Sequence, residues 1–275
     1  MNGSTLTRGS RAGKRKAAPA IDSAARAGFT ARGVIYVLVG LLALQIAFGG
    51  SGKQADQGGA LQEVAGKPFG AVILWALGVG LVGMALWRLS EAVFGAAGPD
   101  GGKVTKRLMS AARAVFYGFV AYSVLSFAAG TGGSGSSDGK SRDATAKAMD
   151  LPAGRWLVGV AGVVILCAGV WMVVQAARRK FHKHMKTGEM TRRTRRTVDV
   201  TGVAGGVARG LVFAVAGGFA VRAAVDYEPD KAKGMDDTLR SFTETPVGPW
   251  LLVLVAVGLM LFGVFSFAMA RWRKV

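Results

Sequence analysis

Ala208-Arg209-Gly210-Leu211-Val212-Phe213 opens a long apolar run, and the chain writes the same phrase twice more. It stands as Ala31-Arg32-Gly33-Val34-Ile35-Tyr36 near the N-terminus and, with Ala114 in the glycine's place, at Arg113 in the middle. Four residues after each arginine comes an aromatic: Tyr36, Tyr117 or Phe213. Then, 36, 39 and 37 residues after the arginine, come Pro68-Phe69-Gly70, Pro152-Ala153-Gly154 and Pro246-Val247-Gly248. A second apolar run follows each Pro-x-Gly. It carries a small residue 17 positions after the proline (Ala85, Gly169, Gly263) and an aromatic 19 after it (Trp87, Trp171, Phe265). Self-similarity at a fixed period marks a repeat architecture. Here the unit is two apolar helices, written three times.

Six stretches, about 31–48, 70–93, 111–129, 156–177, 206–225 and 250–270, are apolar over roughly 18 residues or more. At 1.5 Å per residue, about 20 such residues cross a hydrocarbon core of about 30 Å. The 275 residues are 51% hydrophobic and include 41 glycines, and glycine is more frequent in membrane helices than in soluble ones. Six buried helices in a soluble protein of this length would leave almost no amphipathic helix to cover them. The sequence therefore predicts an all-α, polytopic membrane protein with six transmembrane helices arranged as three parallel two-helix repeats.

A net charge of +19 in a soluble chain would point to nucleic acid. The distribution points elsewhere. The N-terminal arm up to Arg32, residues 88–113, residues 178–209 and the C-terminus hold the whole excess, while the three alternate connections sum to about zero. Basic residues near span ends stay on the cytosolic side, so both termini are expected in the cytosol. No nucleic-acid partner is expected. The expected partners are the bilayer and its anionic lipid headgroups, which attract a juxtamembrane basic cluster at about 1 kcal/mol per charge.

The chain divides into a basic arm (1–28), repeat 1 (29–98), repeat 2 (107–180), a basic cytosolic linker (181–198) and repeat 3 (199–275). The arm, with Arg8, Arg11, Lys14, Arg15 and Lys16 among small residues, reads as disordered. It resembles the start of a signal peptide, but the following run is too long for an h-region and has internal counterparts, so the first span is expected to stay. On the far side, each connection carries a short helical stretch, such as 60–65 or 237–242. The Pro-x-Gly then turns the chain back, because proline fixes φ and disfavours helix before it. Trp156 and Trp250 beside the turn suit an interfacial belt. Same-facing units relate by an axis along the membrane normal. A pseudo-three-fold bundle is the natural closure, with a row of three hairpins as the alternative.

Arg32, Arg113 and Arg209 are the candidate functional residues. Guanidinium groups converging on one point would gather an anion or a lipid headgroup. Their place at the helix entrances favours the plainer role, in which each snorkels to the headgroups and marks the cytosolic end. Gly202, Gly206, Gly210, Ala214 and Gly218 form a small-residue stripe that suits close helix packing. The packing partner is this chain or a second copy, which leaves a homo-oligomer open.

The other polar features carry less. Arg88 and Glu91 make an intrahelical pair, and Arg222 is an anchor. His182 and His184 sit among cations with no carboxylate partner near in sequence, so no metal is expected there. Asp226, Glu228, Asp230, Asp236 and Asp237 lack calcium-loop spacing and read as a solvated face. Cys167, the single cysteine, reads as a packing residue, and 130–139 as a flexible linker. No nucleophile–base pair, intramembrane carboxylate pair or cofactor motif stands out, so neither an enzyme nor a cofactor is expected.

These residues resemble a bacterial membrane family catalogued as domain of unknown function 1206, in which a pair of transmembrane helices occurs three times. The resemblance covers 24–275. It runs through the two arginine phrases quoted above, Gly59-Ala60-Leu61, Pro68-Phe69-Gly70 and Pro229-Asp230-Lys231-Ala232-Lys233-Gly234, and the middle unit departs most. It implies an integral membrane protein and no assigned activity. The expected role is a non-catalytic structural or interaction protein with a cationic cytosolic face. The alternative is a small-solute transporter or channel using the pseudo-three-fold centre.

Overall fold

A computed structural model describes residues 6–49, 54–95, 103–131, 137–244 and 248–274. The helices are α1 (Leu6–Ala47), α2 (Gln57–Ala65), α3 (Gly70–Phe94), α4 (Val104–Ala128), α5 (Ser137–Met149), α6 (Gly154–Ala177), α7 (Arg192–Asp226), α8 (Met235–Ser241) and α9 (Gly248–Trp272). Among the described residues there is no strand, only an isolated bridge between Met185 and Arg273. Six helices, α1, α3, α4, α6, α7 and α9, are long and apolar enough to cross a membrane. The short helices α2, α5 and α8 sit between the two spans of each unit. The protein is all-α, with three two-helix repeats.

Two boundaries differ from expectation. The arm at 1–28 is not irregular where it is described, because α1 starts at Leu6; Ala, Arg and Lys are strong helix formers and extend the span backwards. The second half of the 181–198 linker is likewise helical, since α7 begins at Arg192, capped by the Thr191 side chain accepting from the amide of Thr194 (3.2 Å). Positions 132–136 of the 130–139 linker lie outside the described residues; its last three positions begin α5.

The Pro-x-Gly turn works through its middle and last residues as much as through proline. Phe69 and Ala153 both take φ of +63°, the left-handed region that non-glycine residues adopt at a cost of about 1–2 kcal/mol. The glycine that follows is needed for space. A Cβ on Gly70 would lie 2.2 Å from the carbonyl oxygen of Val64, and one on Gly154 1.9 Å from that of Ala148. The short helix of each unit thus presses directly on the start of the next span. In the third turn, Pro246 and Val247 lie outside the described residues, but Gly248 meets the same constraint, 2.4 Å from the oxygen of Thr243.

The spans form an open ring. In order, α4 packs on α3, α3 on α1, α1 on α9, α9 on α7 and α7 on α6. The pseudo-three-fold order is complete except at one place. The two spans of the middle unit, α4 and α6, do not pack together. The tight seams join the second span of one unit to the first of the next. There the residue after the repeat arginine meets the small residue 17 after the proline. A Cβ on Gly33 would fall among the ring atoms of Phe267 on α9, while one on Gly263 would sit 2.8 Å from the Gly33 oxygen. Between α6 and α7 a Cβ on Gly210 would lie 2.8 Å from the Gly169 oxygen. In lipid, helices associate through such backbone approach rather than through a hydrophobic driving force.

The small-residue stripe joins the seam in part. Gly202 faces Phe181 and Phe265, Gly206 faces Ala176, and Gly210 faces Gly169 and Val173. Gly218 has nothing within 4 Å, and Gly217 takes its place against Gly162 and Leu166. A four-residue step over-rotates a 3.6-residue turn by about 40°, so a strict i+4 row leaves the seam. Cys167 is exposed on α6 rather than packed.

Candidate functional site: an arginine-lined cavity

Because Gly33 and Gly210 occupy the seams, the arginine before each is rotated about 100° toward the ring's interior. Arg32, Arg113 and Arg209, one from each unit, line a single cavity of about 470 Å³. They do not sit at helix ends: Arg113 is more than two turns inside α4 and Arg209 more than four turns inside α7. Sequence favoured helix entrances for them; the structure sets them within the helices and around one space. All six spans contribute to the lining, with Arg88 from α3, Trp171 and Gln175 from α6, Gly206 from α7, and Phe262, Phe265 and Met269 from α9.

Aromatic rings and hydroxyls hold the guanidinium groups of Arg32 and Arg209. Arg32 is buried; its Nε donates to Ser266 Oγ at 3.1 Å, and its charge lies 4.8 Å from the Phe29 ring and 5.1 Å from that of Phe262. Ser266 in turn donates to the Phe262 carbonyl. Arg209 is caged by the rings of Tyr36 (5.6 Å), Phe213 (5.3 Å) and Phe262 (5.0 Å), and its buried Nε has no hydrogen-bond partner. In two of the three units the aromatic four residues after the repeat arginine serves a neighbouring unit. Tyr117 of the middle unit stands beside Arg32, and Tyr36 of the first beside Arg209. The third counterpart, Phe213, lacks a hydroxyl. Among the described residues Arg113 makes no hydrogen bond or ion pair.

Arg88 pairs with Glu91 at 2.6 Å, as the sequence suggests, but it also lines the cavity, 4.1 Å from the Trp87 ring, with its Nε buried and unpartnered. The lining therefore brings together Arg32, Arg88, Arg113, Lys180 and Arg209 with no Asp or Glu among the described residues that form it. Glu91, held on Arg88, is the nearby acid. Burying a charge is costly unless it is paired, and cation–π contacts, about 0.5–2 kcal/mol each, offset only part of that cost. A fixed cluster of guanidinium donors in a half-enclosed, aromatic-lined space suits a phosphate or carboxylate.

The segment 180–184, two residues after α6, covers the end of the cavity nearest the chain termini. Lys180, Phe181 and His184 line it. The segment is tied to the C-terminus: the Lys186 amide donates to the Trp272 carbonyl (2.8 Å) and the Lys274 amide to the His184 carbonyl (2.9 Å). His182 pairs with Asp199, which also sits 3.7 Å from Arg179, so the carboxylate partner absent nearby in sequence is supplied by α7. Burial and the Arg273 charge hold the His184 imidazole below its ordinary pKa. Toward the other end the helices close on apolar side chains, among them Val39, Leu42, Val255 and Leu259.

The acidic residues between α7 and α9 are not a plain solvated face. Asp236 is buried, accepting from the Ala55 amide at 2.7 Å and pairing with Arg240 at 2.8 Å. Asp237 pairs with Arg142 at 2.5 Å, and its amide donates to Asp138 at 3.1 Å. They clamp α2, α5 and α8 together. Asp226 binds Lys231 at 2.8 Å and Arg222 at 3.6 Å. Arg88, Lys180, His184 and Asp199 were not singled out from sequence as site residues. Arg88 alone carried a signal, directly following the repeat aromatic Trp87.

Comparison with known proteins agrees with this repeat. An uncharacterized protein of Bacillus subtilis (strain 168), YxxB, is 29% identical over 255 residues, covering 92% of this chain and 91% of that protein. No solved structure matches the chain. The family described as Domain of Unknown Function (DUF1206) matches three times, at 27–95, 108–179 and 204–273, each match spanning one arginine phrase and the two spans around its Pro-x-Gly; the chain belongs to this family.

Proposed function

We propose that this is a non-catalytic membrane protein that binds an anion in the arginine cavity. The observation that carries the reading is the convergence of Arg32, Arg113 and Arg209 on one space that, among the described residues, is lined by five cations and no carboxylate. The covered, cation-rich end carries both termini and the basic 178–199 stretch, and the positive-inside rule supports placing it in the cytosol, with the protein in the bacterial plasma membrane. Apolar packing toward the other end favours holding the anion over passing it through. The small-solute transporter is the competing reading.

The test uses the full chain, purified in detergent, with thermal unfolding followed in inorganic phosphate, sulfate and phosphatidylglycerol. A ligand that binds only the folded state stabilises it by RT ln(1 + [L]/Kd), about 2.7 kcal/mol at a hundredfold excess over Kd. At least one anion is expected to raise Tm in the wild type and not in an Arg32→Gln, Arg113→Gln, Arg209→Gln triple variant. A wild type indifferent to all three anions, or an equal shift in the triple variant, contradicts the proposal. Uptake of phosphate by proteoliposomes above the protein-free rate would favour the transporter.

A further inference from the structure

We infer that the anion is the phosphate of a membrane phospholipid, which enters sideways between α4 and α6 with its acyl chains left in the bilayer. This rests on the anion-site reading above. The ring is broken at one seam, inside the middle unit, and the cavity lies against that break: Arg113, Phe116 and Tyr117 come from α4, Trp171 and Gln175 from α6. Phe116 and Trp171 are 56% and 60% exposed, which places an apolar mouth directly beside a cationic interior. A lipid has that same juxtaposition, an apolar body next to an anionic head. Lys180 Nζ lies 5.4 Å from the Trp171 ring, at the edge of the mouth.

The other approaches are obstructed. The 180–186 stretch, fastened to the C-terminal end of α9 by two backbone hydrogen bonds, lies across the end nearest the termini, and apolar side chains fill the opposite one. The space also exceeds what a bare phosphate needs. About 470 Å³ holds roughly fifteen waters at about 30 Å³ each, room for a headgroup beyond its phosphate. The donors left over are suitably placed. Arg113 stands at the mouth without a polar partner, and the buried Nε atoms of Arg88 and Arg209 are unpartnered deeper in.

The full chain is reconstituted in nanodiscs of dioleoylphosphatidylcholine. It is probed with trace dioleoylphosphatidylglycerol bearing a diazirine on one acyl chain, and the adducts are mapped by peptide mass spectrometry. Adducts are expected to concentrate on the facing stretches around Phe116 and Trp171, and unlabelled phosphatidylglycerol is expected to compete where dioleoylglycerol, lacking the phosphate, does not. Arg113→Gln and Lys180→Gln, whose side chains hold no hydrogen bond that folding needs, are each expected to weaken capture about fivefold. Adducts spread evenly over all lipid-facing helices, or equal competition by dioleoylglycerol, overturn the inference. If inorganic phosphate binds in an arginine-dependent way and competes with no lipid, the lipid assignment fails while the anion site stands. If neither source of phosphate binds in that way, both fall.

Discussion

Alanine at Gly169 would place a methyl carbon 2.4 Å from the amide nitrogen of Ala214, 2.7 Å from the Gly210 carbonyl oxygen and 2.8 Å from the Ala214 Cα. Ordinary contact for such a carbon begins at 3.4 Å. All three neighbours are backbone, so no side chain can swing aside, and α6 and α7 must part by about 1 Å. Overpacking of this kind costs about 1–3 kcal/mol. The substitution also brings alanine's helix propensity, worth about 1 kcal/mol, so the clean comparison is Gly218→Ala, on α7 but off the seam, where nothing lies within 4 Å. Propensity then cancels and the overpacking remains. We expect Gly169→Ala to unfold earlier than Gly218→Ala in an SDS titration of mixed micelles followed by far-ultraviolet circular dichroism, by about 1–3 kcal/mol. Because α6 carries Trp171 and Gln175 into the cavity, Gly169→Ala should also bind the anion more weakly, and Gly218→Ala should not. Equal midpoints for the two variants would refute backbone-on-backbone packing at this seam.

Three further outcomes follow from individual contacts. Ser266→Ala removes the acceptor of the buried Arg32 Nε and should cost about 1–3 kcal/mol in the same titration; a neutral result would show that Arg32 does not depend on this hydroxyl. His184 is a base whose pKa is lowered in the folded protein by burial and Arg273. Its contribution is therefore fully present above the ordinary value of 6.5 and is lost as pH falls through that value toward the lowered one. His184→Asn should flatten the stability–pH profile below pH 6.5, and an unchanged profile would assign the effect elsewhere. The Asp138 carboxyl is raised by burial, with Asp237 and Asp236 adding repulsion. The raised acid binds its proton more tightly when folded, so the α2–α5–α8 clamp gains stability as pH falls through the raised value, and the gain is complete below the ordinary 3.8. Asp138→Asn, which still accepts from the Asp237 amide, should show that gain at pH 7. A variant less stable than wild type at pH 7 would instead point to a cation held among Asp138, Asp236 and Asp237, whose carboxylate oxygens lie within 4.8 Å of one another.

The spans, the three units and the turn positions were legible because each rests on local pattern: apolar length, period, and Pro-x-Gly. The seam residues were legible as positions but not as partners. Gly169 and Gly210 stood out separately, and nothing in one helix's sequence says that their backbones meet. The convergence of the arginines was illegible for the same reason. An arginine near the start of an apolar run looks like an end-marker when the run is counted by hydropathy alone. The polar first turns of α4 and α7 continue the helix below it, and Arg113 and Arg209 become interior residues. Direction around the helix is fixed only when the neighbour is known: Gly33 and Gly210 go to the seams, so Arg32 and Arg209 go inward. Asp199 and the 180–184 segment were invisible as site elements, since both act through contacts made by chain folding back on itself.

The central claim is that three repeated arginines make one site rather than three. Counting tightly held phosphatidylglycerol molecules per chain by native mass spectrometry, in the wild type and in the single variants Arg32→Gln, Arg113→Gln and Arg209→Gln, tests it most directly. One site predicts a single retained lipid in the wild type and a weakened hold on that same lipid in each variant. Three retained lipids, with each substitution removing one and leaving the other two untouched, would contradict it.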